Sequence, residues 1–319
     1  MILAGDVGGT HTRLALFEKG QLREERKFSS RNYKGLEEIV EEYLSLEKKN
    51  VSVACFGIAG PVRDGKCKAT NLPWEVDASE LSLRLKIEKV SLLNDLEANA
   101  HGLKMLKPEE LFLLQKGNPK QSGNRALISA GTGLGEAGLF WDGKAHHPFA
   151  CEGGHADFAP RNELEIELLL YLKKKFGHVS YERVVSGPGL HAIYEFLVES
   201  GKERRSEDVK AEMKKKDPSF VVSEFGRENR DLACSKALDL FLSCYGAETG
   251  NLALKLLALG GCFIGGGIAP HLAERMKAGF VSSFIDKGRF GSLLETIPVW
   301  VVLNDNTALL GAAAYGATL

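Results

Sequence analysis

Two stretches of this 319-residue chain repeat one pattern: an apolar run, a turn rich in glycine and threonine, and a second apolar run. In the first, Ile2-Leu3-Ala4 passes through Gly5-Asp6-Val7-Gly8-Gly9-Thr10 to Leu14-Ala15-Leu16-Phe17. In the second, Ala126-Leu127-Ile128-Ser129-Ala130 passes through Gly131-Thr132-Gly133-Leu134-Gly135 to Ala137-Gly138-Leu139-Phe140-Trp141. Each reads as a β-hairpin with a glycine tip. Two copies predict duplicated halves that face one ligand.

The tips suit an anion. Gly8 and Gly9 have no side chain to block access and permit φ > 0, so successive N–H groups can converge on a phosphate while Thr10 adds a hydroxyl. Gly131, Thr132 and Gly133 offer the same set. Asp6 would repel a phosphate unless a divalent cation lay between them, so the first hairpin suggests Mg²⁺, held by Asp6 partly through water. On nine residues alone, a tight hairpin with a capping Asp is an equally good reading, and the second copy favours the phosphate turn. No Gly-x4-Gly-Lys-Ser/Thr occurs, and Glu136 stands where a dinucleotide fingerprint begun at Gly131 needs its third glycine. Gly187-Pro188-Gly189 fits that string loosely, but Pro188 lacks an N–H, so it reads as a turn opening a helix.

Taken with Leu93-Asn94-Asp95-Leu96, Glu152-Gly153-Gly154-His155 and Ile264-Gly265-Gly266-Gly267, the paired hairpins make the chain resemble bacterial glucokinase. The motifs keep the family's order from Gly5 to Gly311. The resemblance implies an α/β, two-domain actin-like ATPase fold of ribonuclease-H-like type, with duplicated βαβ-type halves around a central cleft. It also implies ATP with Mg²⁺ and glucose as substrate, with a kinase for mannose or an N-acetylhexosamine as the near alternative, and relatives of this kind are often homodimers. Asp95 carries over as the general base. Asn71, Asn94, Asp95, Glu152, His155 and Glu182 carry over as sugar ligands. Gly5, Asp6, Gly8, Gly9, Thr10, Gly131, Thr132, Gly133, Gly265, Gly266 and Gly267 carry over to the nucleotide, the last three at the adenosine end. The chain departs from the family at His11, where Asn is usual.

Composition agrees with an ordinary globular protein, 44% hydrophobic and 26% charged, with net charge −1 and so no global pull toward nucleic acid or membrane. Its six cysteines lack Cys-x-x-Cys spacing, which argues against a disulfide framework or zinc knuckle and for a cytoplasmic chain. Met1 is followed at once by a strand, leaving no room for a signal segment.

Along the chain, Leu22 to Ser30 predicts a third strand, Gly35 to Leu46 a helix, and Val51 to Val62 a buried parallel strand. Asp77 caps a short helix over 78–85, and Val90 to Leu93 delivers Asn94-Asp95 to a strand's carboxyl end, where ligands sit in open parallel sheets. A helix from Leu96 to Met105 makes Asp95 either a base or an N-cap. Lys107 to Asn124 reads as a polar boundary, giving domains of 1–110 plus 301–319 and 111–300. Asn162 and Gly177 bracket a helix over 163–176. Lys202 to Asp217 reads as a solvated face, and Asp231 to Leu257 as a long helix. A sugar-sensing regulator would need a DNA-binding segment ahead of Gly5. An actin-like ATPase would have no need of the sugar-facing motifs.

Overall fold

Each half of the protein is a hairpin flanked by parallel strands. The structure is a computed structural model and describes residues 1–118 and 120–319. Its contacts divide the chain into two compact units, one of Met1–Glu110, His147–Ala150 and Asn304–Leu319, the other of Leu111–His146 and Cys151–Leu303.

In the first unit, β1 (Ile2–Val7) and β2 (His11–Glu18) pair antiparallel with Asp6 opposite Arg13. β3 (Gln21–Ser29) pairs with β2, and α1 (Leu36–Glu47) returns the chain to β4 (Val53–Ile58), which lies parallel to β1. β4 is apolar along almost its whole length because both its faces are covered. A small sheet of β5 (Val62–Arg63), β6 (Lys66–Lys68) and β7 (Glu75–Asp77) precedes α2 (Ala78–Leu85), whose first N–H groups donate to Asp77. β8 (Lys89–Asn94) then runs parallel to β4 and opens into α3 (Asp95–Gly102), ending in a 3-10 turn over Leu103–Met105. The sheet order is β3-β2-β1-β4-β8.

The second unit begins with a strand that the sequence reading missed. Leu111–Gln115 lies inside the stretch taken as a polar boundary, yet it forms β9. β10 (Arg125–Ala130) and β11 (Leu134–Trp141) make the second hairpin, followed by β12 (His146–Cys151), whose four middle residues fall in the first unit. The helices α4 (Glu163–Phe176), α5 (Gly187–Glu199), α6 (Glu207–Met213), α7 (Pro218–Arg227) and α8 (Leu232–Leu256) come next. Asn162, Ser186, Ser206, Asp217 and Asp231 cap them through side-chain oxygens, which satisfies N–H groups that a helix leaves open. β13 (Cys262–Gly265), α9 (Ala269–Met276), α10 (Gly279–Ile285), α11 (Gly291–Glu295) and β14 (Val299–Val302) complete it. The order β12-β11-β10-β13-β14 repeats the first sheet's plan, and β9 adds antiparallel beyond β14.

The last helix, α12 (Thr307–Gly316), packs on α3, β1 and β4 within the first unit. Its crossing with α3 is close: a Cβ at Gly311 would lie 1.7 Å from the Ala98 carbonyl oxygen, and one at Gly102 would lie 2.0 Å from that of Thr307. Ala98, Ala308, Leu309 and Ala312 form a buried small-residue core there. Among the described residues no helix is long and apolar enough to cross a membrane.

Candidate active site

The first hairpin tip is braced from behind. Ser30 donates its hydroxyl to the Gly8 carbonyl at 2.8 Å and pairs with the Thr12 hydroxyl at 3.0 Å, while the Gly8 N–H donates to the His11 carbonyl at 3.0 Å. Neither Gly8, Gly9, Gly131 nor Gly133 has a positive φ, contrary to the reading of the tips. Both turns are open enough for ordinary backbone. Gly9 is demanded by a neighbour instead, since a Cβ there would lie 2.6 Å from the Asn71 Cβ. The Asn71 loop therefore lies against this turn. Gly5 likewise answers to packing, because a Cβ would meet the Phe56 ring at 2.4 Å.

Burial pushes the Asp6 carboxyl up to about 6, with Arg13 opposing and Asp305 adding to the rise. Arg13 is divided between two other acceptors, the Asp305 carboxylate at 2.9 Å and the Asn306 side chain. Asp6 is thus a buried hard oxygen donor at the end of β1, beside the glycine turn and sharing Arg13 with two other acceptors, and a donor of that type fits Mg²⁺.

At the end of β8 the two residues divide their work in an order that the sequence did not reveal. Asn94, not Asp95, caps α3: its Oδ1 accepts from the Leu96 N–H at 2.9 Å and the Glu97 N–H at 3.4 Å, and its Nδ2 donates to the Gly60 carbonyl at 3.1 Å. Half-buried Asp95 is the first helical residue, with Oδ1 accepting from the Leu96 N–H at 3.0 Å.

In the second unit, three sequence-predicted residues gather around the β10–β11 tip. The Glu182 carboxylate accepts from the Leu134 N–H at 3.1 Å. Gly153–His155 forms a 3-10 turn against β11, so close that a Cβ at Gly154 would lie 2.0 Å from the Leu134 carbonyl oxygen. The turn brings the exposed His155 Nε2 to 4.0 Å from Glu152 Oε2. Beside the same tip a cavity of about 730 Å³ opens among Gly131, Thr132, Gly187, Phe220, Gly267 and Ile268. Gly266 turns there with φ 84°, tight against the Ala130 carbonyl, while Gly267 leaves open space.

The family model for glucokinase matches residues 3–319 of the chain. The chain belongs to the glucokinase family. It is 42% identical to a glucokinase of Synechocystis over 99% of this chain and 97% of that one. It is 40% identical to a glucokinase of Nostoc punctiforme over 100% and 99%. Among solved structures, the glucokinase of an Antarctic psychrotroph superposes with a TM-score of 0.84 at 30% identity, covering 100% of this chain and 99% of that one. The repeated sheet plan is accordingly the actin-like ATPase fold, and the chain is a hexose-phosphorylating kinase.

Sequence reasoning missed the α7 side of the glucokinase cavity, where Phe220, Ser223 and Arg227 stand. The signal was present, because Asp217-Pro218 is a capping residue followed by proline at the first helical position.

Proposed function

We propose that the chain transfers the γ-phosphoryl group of ATP to the 6-hydroxyl of glucose, and that Asp95 accepts the hydroxyl proton as oxygen attacks phosphorus. The observation that carries this reading is the cap at Asn94, which leaves the Asp95 carboxylate at a strand's carboxyl end without the duty of starting α3. Asn94 fixes the backbone that presents Asp95, and its Nδ2, which gives one N–H to the Gly60 carbonyl, has a second for a sugar hydroxyl.

Phosphoryl transfer asks for positioning and charge stabilisation more than covalent help. The Gly8 and Gly131 N–H groups close their own turns, onto the His11 and Gly133 carbonyls, so the N–H groups at Gly9-Thr10 and Thr132-Gly133 would receive phosphates, and the 730 Å³ cavity of the second unit, bordered by Gly267 and Phe220, would take the adenosine. That volume lies in the range of small-molecule sites. Asp6 would hold Mg²⁺, which when bound neutralises charge on the β- and γ-phosphates. Glu152, His155 and Glu182 would bind sugar hydroxyls, with His155 and Glu152 already converging. The free thiols of all six cysteines fit a reducing, cytoplasmic setting.

Initial rates of ADP release test the reading. With ATP and Mg²⁺, release is expected to require glucose and to stop after dialysis against EDTA, returning when Mg²⁺ is restored. Sugar-independent hydrolysis, or full activity without a divalent ion, would overturn it.

A further inference from the structure

Two carboxylates meet beneath the sugar turn, and the reaction as read above uses neither. Glu136, on β11, and Glu248, in the middle of α8, are 1% and 0% exposed. Among the described residues a third glutamate, Glu165, is fully buried and has Arg161 at 2.6 Å, whereas none of them forms such an ion pair with Glu136. Its Oε1 is buried without a hydrogen bond, and its Oε2 lies where a Cβ on Gly153 would be, 1.8 Å away. Glu248 lies within hydrogen-bonding reach of it and is held by the Asn251 amide at 2.8 Å, with the half-exposed Lys255 ammonium at 3.4 Å. Asn251 also donates to the Tyr181 hydroxyl at 3.0 Å and accepts from Lys287 at 2.8 Å. Tyr181 is the residue before Glu182. One polar array thus underlies the Gly153–His155 turn and the Glu182 turn together.

We propose that Glu136 is a positioning residue for the sugar site: it keeps a proton and donates it to the Glu248 carboxylate, and the joined pair is the floor that holds the Gly153-Gly154 turn in place. The inference rests on the reading that Glu152, His155 and Glu182 bind the sugar.

Two facing carboxylates in a dry site cannot both ionise, and a single proton between them supplies the hydrogen bond that Glu136 otherwise lacks. Burial pushes the Glu136 carboxyl up to about 8, Glu248 adds to the rise, and Lys255 opposes it. The other titratable groups facing the pair are Tyr245 from α8, Cys151 and Glu152 beside the turn, Tyr181 next to Glu182, and Lys287 beyond Asn251. None of these adds an unshared positive charge at Glu136. Because the folded value lies above the unfolded one, the stabilisation is fully present below the ordinary glutamate value of 4.5 and is lost progressively as pH rises from there to about 8. Above that, Glu136 gives its proton to solvent, and two buried anions repel across the floor of the turn.

The test is the pH profile of the glucose KM. In the wild type, KM is expected to rise about tenfold between about pH 7.5 and 9.5 with little change in kcat. Glu136→Gln, a neutral donor of the same shape, is expected to keep the wild-type KM at neutral pH and to abolish the rise. Superimposable profiles for the two proteins, or loss of glucose affinity in Glu136→Gln at neutral pH, would overturn the proposal. Should that variant fail to fold, Glu248→Gln serves instead, because removing the facing charge should move the inflection to lower pH, and an unmoved inflection also overturns it. Thermal melting separates this from failure of the sugar-site reading. If His155→Ala leaves the glucose KM unchanged, that reading fails, yet the loss of stability between about pH 4.5 and 8 and its absence in Glu136→Gln still decide the state of the pair.

Discussion

Replacing Asp95 by asparagine is expected to lower kcat by roughly 10²- to 10⁴-fold, the range seen when a general base is removed, while the protein stays folded. The cap geometry makes the substitution clean. α3 is closed by Asn94, so the contribution of about 1 kcal/mol that a side-chain cap makes is kept when Asp95 changes. Asparagine can still accept from the Leu96 N–H and still hydrogen-bond a sugar hydroxyl, so glucose affinity measured by calorimetry should fall far less than kcat. A kcat within about threefold of wild type would show that Asp95 is not the base.

The largest effect on stability is expected at Gly311. Alanine in a helix interior is favoured over glycine by about 1 kcal/mol, so propensity alone predicts a gain. The crossing reverses the sign. A Cβ at 1.7 Å from the Ala98 carbonyl meets backbone, which no rotamer change can clear, so α12 must move off α3. Overpacking of this kind costs about 1–3 kcal/mol, and because the contact is with backbone the upper end applies, so the net loss for Gly311→Ala should be about 2 kcal/mol, a fall in Tm of several degrees. Because α3 begins at Asp95, kcat should fall too. Gly279→Ala is the control: its added methyl meets open space, and Tm should hold or rise. A Gly311→Ala protein as stable as wild type would mean that α12 does not set the position of α3.

Local chemistry was the legible part. Both hairpins, the Asp77 and Asn162 caps, the Gly177 stop and the long α8 are written in neighbouring residues, and the structure has them within a residue or two. β9 was not legible because its partner β14 lies nearly the whole second unit away in sequence, and a short apolar run between polar ends gives no sign of pairing. The roles of Asn94 and Asp95 depend on the single residue at which β8 stops, a boundary that periodicity does not resolve. Glu136 entered the sequence reading only as the residue that spoils a dinucleotide fingerprint. A charged residue on the same strand face as Leu134 was the available sign of something more, but its partner, Glu248, lies far along the chain in an otherwise apolar helix.

The decisive measurement is the product formed from ATP and Mg²⁺ with either glucose or 6-deoxyglucose. Glucose is expected to give one glucose 6-phosphate for each ADP, and 6-deoxyglucose, which lacks the attacking hydroxyl, is expected to give no phosphorylated sugar. Phosphorylation of 6-deoxyglucose, or ADP released from glucose reactions without a matching yield of glucose 6-phosphate, would contradict transfer to the 6-hydroxyl.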